Sequence, residues 1–120
     1  MKTILVADDL ACARSFHTHL LEQLGHRVVT AVDGLEALER LRAHPIDIVL
    51  LDMLMPRMDG CEFLRRMRAM PGYASVPVLV VTSESDRIHQ ERLQAAGATA
   101  FLAKPAHPEA MQEMIRSLTR

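Results

Sequence analysis

The stretch ILVADDLA, residues 4–11, places four apolar residues directly before two adjacent aspartates, Asp8 and Asp9. An apolar run without alternation is typical of a β-strand that is covered on both faces, as in a parallel sheet. Two like charges side by side at the end of such a strand repel each other. The stretch therefore predicts a buried strand whose carboxyl end holds something that relieves this repulsion.

Apolar runs of the same kind recur along the chain and alternate with helical patterns. Four near-continuous strands are predicted at residues 3–7, 47–51, 76–81 and 99–103, and a more polar one at residues 27–31. Strands that alternate with helices form right-handed βαβ crossovers, which give a doubly wound parallel sheet. The sequence therefore predicts an α/β fold of five β-α units in one domain, residues 1–120.

The apolar spacing also predicts which helix residues are buried. In the first helix an apolar stripe at intervals of four residues is followed by a glycine that ends the helix. These residues are Phe16, Leu20, Leu24 and Gly25. Residues 71–76, PGYASV, form the one connection that is expected to be loose.

Composition and charge exclude several classes of function. The net charge is −1, so the chain lacks the basic excess of a nucleic-acid-binding domain. Its apolar runs are shorter than the roughly 18 residues of a membrane helix, and we expect no signal peptide because charges end the N-terminal apolar run at once. Cys12 and Cys61 lack metal-binding spacing, and they begin helices expected on opposite faces of the sheet. We expect free thiols in a cytoplasmic protein without nucleic-acid or membrane partners.

Polar side chains follow four of the five predicted strands. Asp8 and Asp9 follow the first strand, Asp52 the third, Thr82 the fourth and Lys104 the fifth. The carboxyl ends of parallel strands share one edge of the sheet, where ligands bind. If the strand order is 2-1-3-4-5, the first and third strands are neighbours, and three carboxylates converge at this edge.

Three converging carboxylates need a counter-charge. Each close pair costs about 4 kcal/mol at an effective dielectric constant of about 20. Mg²⁺ takes oxygen ligands and is commonly held by one or two carboxylates together with a phosphate group. The acids therefore predict a Mg²⁺ site that receives a phosphoryl group.

Taken singly, the same residues have ordinary interpretations. Asp8 or Asp9 alone fits a helix N-cap, and Asp59 alone fits a turn. Lys104 alone fits a solvated surface lysine, and Phe101 alone fits a core aromatic residue. The metal interpretation depends on the acids and Lys104 occurring together at strand ends.

Four motifs in order give the chain a family resemblance. They are VADD at the end of the first strand, LLDMLMPRMDG after the third, VVTSES after the fourth and FLAKP in the fifth. With these motifs the chain resembles the response-regulator receiver domain of bacterial two-component signalling over essentially all 120 residues. The resemblance implies a flavodoxin-like, three-layer (βα)5 sandwich with strand order 2-1-3-4-5.

The resemblance implies roles for the residues around the acidic cluster. Asp52 matches the phosphoacceptor, and Asp9 matches a direct Mg²⁺ ligand. Asp8 matches the acid that holds the metal's waters, and Leu54 matches the residue whose backbone carbonyl binds the metal.

Three further residues match the family's switching machinery. Thr82 matches the hydroxyl that moves to bond the phosphoryl group, Lys104 the cation that contacts its oxygens, and Phe101 the aromatic switch residue. The function implied is a phosphorylation-activated switch of a phosphorelay. Its donor is a sensor histidine kinase or a histidine phosphotransfer protein. Its downstream partner docks on the face of the fourth helix, fifth strand and fifth helix, and it catalyses only its own phosphorylation and dephosphorylation.

Two other functions remain open at this point. An aspartyl-nucleophile Mg²⁺ phosphohydrolase usually has a second acid two residues after the nucleophile, where this chain has Leu54. A phosphate-independent docking module does not need the complete set of Asp9, Asp52, Thr82 and Lys104 that the chain carries. Leu54 also stands where many relatives have a polar residue that orients water, so we expect a long-lived aspartyl phosphate.

Overall fold

The apolar runs of the sequence become the strands of one sheet in a computed structural model of the chain. The structure describes residues 1–52, 58–82, 87–103 and 107–119, with the backbone alone for residues 87–89. The strands are β1 (Thr3–Ala7), β2 (Arg27–Ala31), β3 (Ile48–Asp52), β4 (Val78–Thr82) and β5 (Ala100–Ala103). The helices are α1 (Ala11–Gln23), α2 (Gly34–Ala43), α3 (Gly60–Arg68), α4 (Arg87–Ala96) and α5 (Pro108–Leu118).

The five strands pair in parallel in the order β2-β1-β3-β4-β5, as predicted. In the β1–β3 pair Ala7 lies opposite Leu51, and in the β3–β4 pair Asp52 lies opposite Val81. This register brings residues just beyond β1 next to Asp52. The α/β doubly wound fold with five β-α units is therefore confirmed.

Helices cover both faces of the sheet. On one face Ile4, Val6 and Leu50 contact α1 and α5, through residues such as Leu21 and Ile115. On the other face a second set of strand residues packs against α2, α3 and α4; it includes Leu5, Val49, Leu51 and Val80. Because both faces are covered, every residue of β3 and β4 is buried, which explains apolar runs without alternation. Strand β2 lies at the edge of the sheet and pairs with one strand instead of two, and its sequence is more polar than that of the central strands.

Among the described residues no helix has both the length and the apolar character needed to cross a bilayer.

Helix α1 buries a different face from the one that the spacing predicted. Phe16 is 47% exposed, whereas His17, Leu20 and Leu21 are buried. At about 100° per residue, Phe16 lies roughly 140° around the helix from Leu21. The predicted stripe was therefore wrong at Phe16, because full burial of Leu21 rotates Phe16 toward solvent.

The end of α1 follows the prediction. Gly25 has φ = +91°, a conformation that residues with a Cβ rarely adopt. The amide of His26 donates to the carbonyl of Leu21 at 3.2 Å, and the amide of Gly25 donates to that of Glu22 at 3.0 Å. This pair of bonds is the Schellman motif that ends a helix at glycine.

The connection 71–76 is held in place by two side chains, so the expectation of a loose loop was wrong. The hydroxyl oxygen of Tyr73 lies 2.8 Å from the carbonyl oxygens of Leu41 and His44 at the end of α2. Arg68 Nη1 donates to the carbonyls of Tyr73 at 2.9 Å and Val76 at 2.6 Å. The loop is thereby fastened to both α2 and α3.

Arg68 also connects α3 to the end of α4. Its Nε donates to the carbonyl of Gly97 at 3.1 Å, and burial lowers the pKa of the guanidinium from its ordinary value. Gly97 has φ = +125°, and a Cβ built on it would lie 2.8 Å from Cγ and Nε of Arg68. The position therefore requires glycine both for its backbone conformation and for the approach of Arg68.

We expect Gly97→Ala to destabilise the fold more than Gly25→Ala does. At Gly25 a new Cβ meets nothing within 4 Å. The loss in the free energy of unfolding then comes only from placing alanine at a positive φ, which costs about 1–2 kcal/mol. Gly97→Ala carries a similar conformational cost and also displaces Arg68 from its carbonyl partners, each bond to a charged donor contributing about 1.5–3 kcal/mol. Urea unfolding midpoints at unchanged m-values measure the difference. Equal losses in the two variants would contradict the role assigned to Arg68.

Candidate metal and phosphoryl site

Three carboxylates meet at the carboxyl edge of the sheet. Oxygen atoms of Asp8, Asp9 and Asp52 all lie within 4.8 Å of one another. Asp8 and Asp52 are 3% and 7% exposed, whereas Asp9 is exposed. The strand register causes this arrangement, because Ala7 and Leu51 pair directly before the acids. The predicted convergence of the three acids is confirmed.

Asp8 is fixed by contacts on both its backbone and its side chain. Its amide donates to the carbonyl of Ala31 at 3.1 Å, which fastens it to β2. Its Oδ1 accepts the amide of Leu10 at 3.0 Å, and its carbonyl accepts Nη1 of Arg14 at 2.8 Å. The residue at the N-cap of α1 is Leu10, which makes no side-chain cap bond. The interpretation of Asp8 or Asp9 as this cap is therefore wrong.

The donor set of this cluster fits a hard divalent cation. Three carboxylates within 4.8 Å supply only oxygen atoms, and Asp9 is open to solvent, where a hydrated ion can reach it. Asp8 already uses Oδ1 for the Leu10 amide. Its second carboxylate oxygen and the carboxylates of Asp9 and Asp52 could together hold such an ion.

Two described residues of the predicted switch lie on one face of the sheet. Thr82 ends β4 and is 2% exposed, and it pairs with Ala103. Phe101 is half-buried and pairs with Val80, two residues before Thr82. Because side chains two apart in a strand share a face, Thr82 and Phe101 both lie on the side of α2, α3 and α4. Phe101 packs against the core on that side.

Comparison with known proteins agrees with this geometry. The family model "Response regulator receiver domain" matches residues 4–116. The chain belongs to this family. Receiver domains are in general signalling modules rather than enzymes, and they bind Mg²⁺ at an acidic pocket of the kind formed by Asp8, Asp9 and Asp52.

Two curated relatives contain a matching region. The cyclic di-GMP phosphodiesterase response regulator RpfG of Xanthomonas campestris pv. campestris is 33% identical over 117 residues, which are 96% of this chain and 31% of that protein. The gliding motility regulatory protein of Myxococcus xanthus is 36% identical over 101 residues, which are 84% of this chain and 13% of that protein. The receiver domain thus spans less than a third of the length of either relative.

Solved structures show the same fold. The chemotaxis protein CheY4 of Vibrio cholerae has a TM-score of 0.95 at 33% identity, covering 98% of both chains. The receiver domain of a sensor histidine kinase of Pseudomonas aeruginosa PAO1 has a TM-score of 0.91 at 26% identity, covering 98% of this chain and 97% of that one. The latter structure is described with a magnesium ion coordinated in the active-site cleft.

Other predicted site residues lie outside the described residues. They are Leu54, whose carbonyl was predicted to bind the metal, and Lys104, which was predicted to contact the phosphoryl group. Their roles in this receiver domain stay predictions. Cys12 and Cys61 are free thiols, as expected.

Sequence reasoning missed two acids that begin helices near the site. The buried Asp33 is the N-cap of α2 and accepts the amide of Glu36 at 2.9 Å. Asp59, interpreted as a turn residue, is the N-cap of α3 and accepts the amide of Glu62 at 2.9 Å. In both segments an aspartate precedes a glutamate by three residues, which is a recognisable start signal. That signal was sufficient to predict both caps.

Sequence reasoning also missed the close approach of Gly34 to Met58 and the contact of Arg14 with Asp8. A Cβ at Gly34 would lie 2.9 Å from Cβ of Met58, so the start of α2 packs tightly against the chain that follows the Asp52 region. The approach of Gly34 to Met58 joins segments that only the fold brings together. The contact of Arg14 is local, but its partner is a backbone carbonyl, so no residue type marks it in the sequence.

Removing one charge from the cluster is expected to stabilise the metal-free protein. Asp9→Asn takes away one of three repelling carboxylates at an exposed position, so we expect a gain of about 0.5–1 kcal/mol in the free energy of unfolding. Urea unfolding in a chelator at low ionic strength measures it, and high salt should reduce it by screening. Glu39→Gln, which neutralises an exposed acid on α2, is the control and should show no gain. A loss of stability in Asp9→Asn would contradict a repelling cluster.

Proposed function

We propose that this receiver domain is a phosphorylation-activated switch of a two-component phosphorelay. In this proposal Asp52 accepts a phosphoryl group from a phosphohistidine of a sensor histidine kinase or of a histidine phosphotransfer protein. The observation that supports it best is the convergence of Asp8, Asp9 and Asp52 within 4.8 Å at the edge where Thr82 also ends its strand. Three acids in one place have little value for stability, and they match the chemistry of a metal-assisted phosphoryl acceptor.

The proposed cofactor is Mg²⁺. Asp9 and Asp52 would bind it directly, Asp8 through its waters, and the carbonyl of Leu54 by family resemblance. When bound, the ion neutralises charge on the transferring phosphoryl oxygens, which otherwise repel an anionic nucleophile. The solved neighbour with magnesium in its active-site cleft supports the same choice of ion.

The protein's own residues position the reaction. An Oδ atom of Asp52 forms the new bond to phosphorus as the bond from phosphorus to the donor's imidazole nitrogen breaks, and the imidazole keeps the electron pair. Burial of Asp52 limits the water that competes with the donor. Lys104 contacts the transferred oxygens by resemblance and adds the positive charge opposite the acids.

The proposed output is a change in the surface around α4, β5 and α5. The new phosphoryl oxygens accept a hydrogen bond from the Thr82 hydroxyl, and the space that Thr82 leaves allows Phe101 to turn toward the core. Thr82 and Phe101 lie on the same face of adjacent strands, so the movement of one changes the room beside the other. A downstream protein then binds the altered surface.

Phosphorylation can shift this equilibrium only through its different interaction with the two states. A change from 1:99 to 99:1 requires about 5.5 kcal/mol, which a few charge-assisted hydrogen bonds in a buried site can supply. We propose a cytoplasmic location, without membrane or nucleic-acid contact of the domain itself. The activity named for RpfG belongs to that protein and is not proposed for this chain.

Intact mass spectrometry after incubation with acetyl phosphate tests the proposal. We expect a gain of one phosphoryl group that depends on Mg²⁺ and is lost in Asp52→Asn. Asp47→Asn is the matched control, because Asp47 precedes the opposite end of β3 and is exposed. It should be modified like the wild type.

The other outcomes separate the alternative functions. Modification of Asp52→Asn, or modification that ignores Mg²⁺, would contradict the proposed acceptor. Steady release of phosphate from phosphate monoesters would favour a phosphohydrolase. Partner binding that is unchanged by Asp52→Asn would favour phosphate-independent docking.

We also expect the aspartyl phosphate to be long-lived. Leu54, two residues after the acceptor, has no polar group to orient an attacking water. Leu54→Asn should shorten the lifetime at least severalfold, whereas Leu54→Met keeps an apolar side chain and should leave it unchanged. The decay of the phosphorylated mass with time measures all three proteins. Equal lifetimes would remove this hypothesis.

A further inference from the structure

Arg14 contacts the peptide bond between the two adjacent acids. Its Nη1 donates to the carbonyl of Asp8 at 2.8 Å, and this carbonyl belongs to the peptide that joins Asp8 to Asp9. Because a peptide bond is planar, fixing its oxygen fixes the orientation of the whole unit. The guanidinium therefore restrains the backbone on one side of each acid.

Other bonds restrain the rest of the same short segment. The amide of Asp8 is held by Ala31, and the amide of Leu10 by the carboxylate of Asp8. The amide of Arg14 donates to the carbonyl of Leu10 at 3.0 Å, which starts α1. Arg14 thus ties the segment 8–10 to the helix through both its backbone and its side chain. Among these bonds, the one from Nη1 is made by a side chain of α1, so a substitution of Arg14 can remove it without changing the segment 8–10.

We propose that Arg14 is a positioning residue for the metal site, and that it acts through the carbonyl of Asp8. It holds the Asp8–Asp9 peptide in the orientation that directs both carboxylates toward one divalent cation. This inference rests on the proposed function, because it assumes that the cluster binds Mg²⁺. Arg14 itself carries a positive charge and does not ligate the ion.

The sign of the effect separates positioning from simple electrostatics. A positive charge near a cation site weakens cation binding, so removal of Arg14 would strengthen Mg²⁺ binding if charge alone mattered. Loss of a positioning contact has the opposite effect, since removing a group that orients metal ligands typically costs 10–100-fold in metal affinity. Arg14 lines an open groove of about 380 Å³ between α1 and β2. A smaller side chain there leaves the core intact.

The experiment measures the Mg²⁺ dissociation constant by isothermal titration calorimetry for wild type, Arg14→Met and Arg14→Lys. We expect both variants to bind Mg²⁺ about tenfold more weakly. Lysine keeps the charge but is one bond shorter and lacks the planar guanidinium, so it does not restore the contact. The amide resonance of Leu10, which reports the bond to Asp8, should shift in both variants before any metal is added.

Arg40→Met is the matched control. It removes another arginine whose guanidinium donates to a backbone carbonyl, that of Thr30 at 3.0 Å, and it changes the net charge by the same amount. We expect its Mg²⁺ affinity to equal that of the wild type.

Four outcomes decide the matter. Wild-type affinity in Arg14→Lys, or tighter binding in Arg14→Met, would overturn the positioning role while leaving the proposed function in place. Unfolding of both Arg14 variants would also overturn it, because the residue would then be a requirement of the fold. A wild-type protein that binds no Mg²⁺ would overturn both the inference and the metal site on which it rests.

Discussion

Pairing of β1 with β3 is the constraint on which the site depends. Because Ala7 lies opposite Leu51, the three acids that follow these strand residues lie at one edge of the sheet even though their charges repel each other. They are Asp8, Asp9 and Asp52. Repulsion that involves the exposed Asp9 is screened by water and costs about 0.5–1 kcal/mol, whereas the buried pair of Asp8 and Asp52 costs up to about 4 kcal/mol at an effective dielectric constant of about 20. Each large aliphatic residue buried in these strands contributes about 1.5–3 kcal/mol, and β1 alone buries Ile4, Leu5 and Val6. Burial of the strand residues therefore outweighs the repulsion between the acids.

The opposite end of the sheet is organised for rigidity. There Tyr73 bonds the end of α2, and Arg68 bonds the connection 71–76 and the end of α4. Both side chains bond backbone carbonyls, which hold the positions of whole segments rather than of single side chains. The domain thus combines a fixed end, where helices α2, α3 and α4 finish, with an end where the strands present charged groups. The acids therefore lie at the end of the sheet opposite to these fixed contacts.

The fold and the acidic cluster could be predicted because they are carried by patterns local in sequence. β1 and β2 have the predicted bounds, and the other strands differ by one or two residues. Phe16 was wrong because two overlapping stripes compete in α1, and only packing decides that Leu21 is buried. Arg68, Tyr73 and Arg14 could not be assigned. Their partners are backbone carbonyls, which every residue has, so no residue type at a fixed spacing identifies the bond.

The strand register also places the proposed acceptor Asp52 close to the two residues of the proposed switch. Asp52 pairs with Val81, so Thr82 is the next residue of β4, and Phe101 lies diagonally from Thr82 on β5. Thr82 is buried and Phe101 is half-buried, so in the proposed switch a movement of Thr82 would change the space available to Phe101. Neighbouring residues on one face cannot occupy the same space, and a dense interior offers discrete arrangements rather than continuous deformation. In the proposed switch, two strands in fixed register would therefore be enough to connect the acceptor with Phe101.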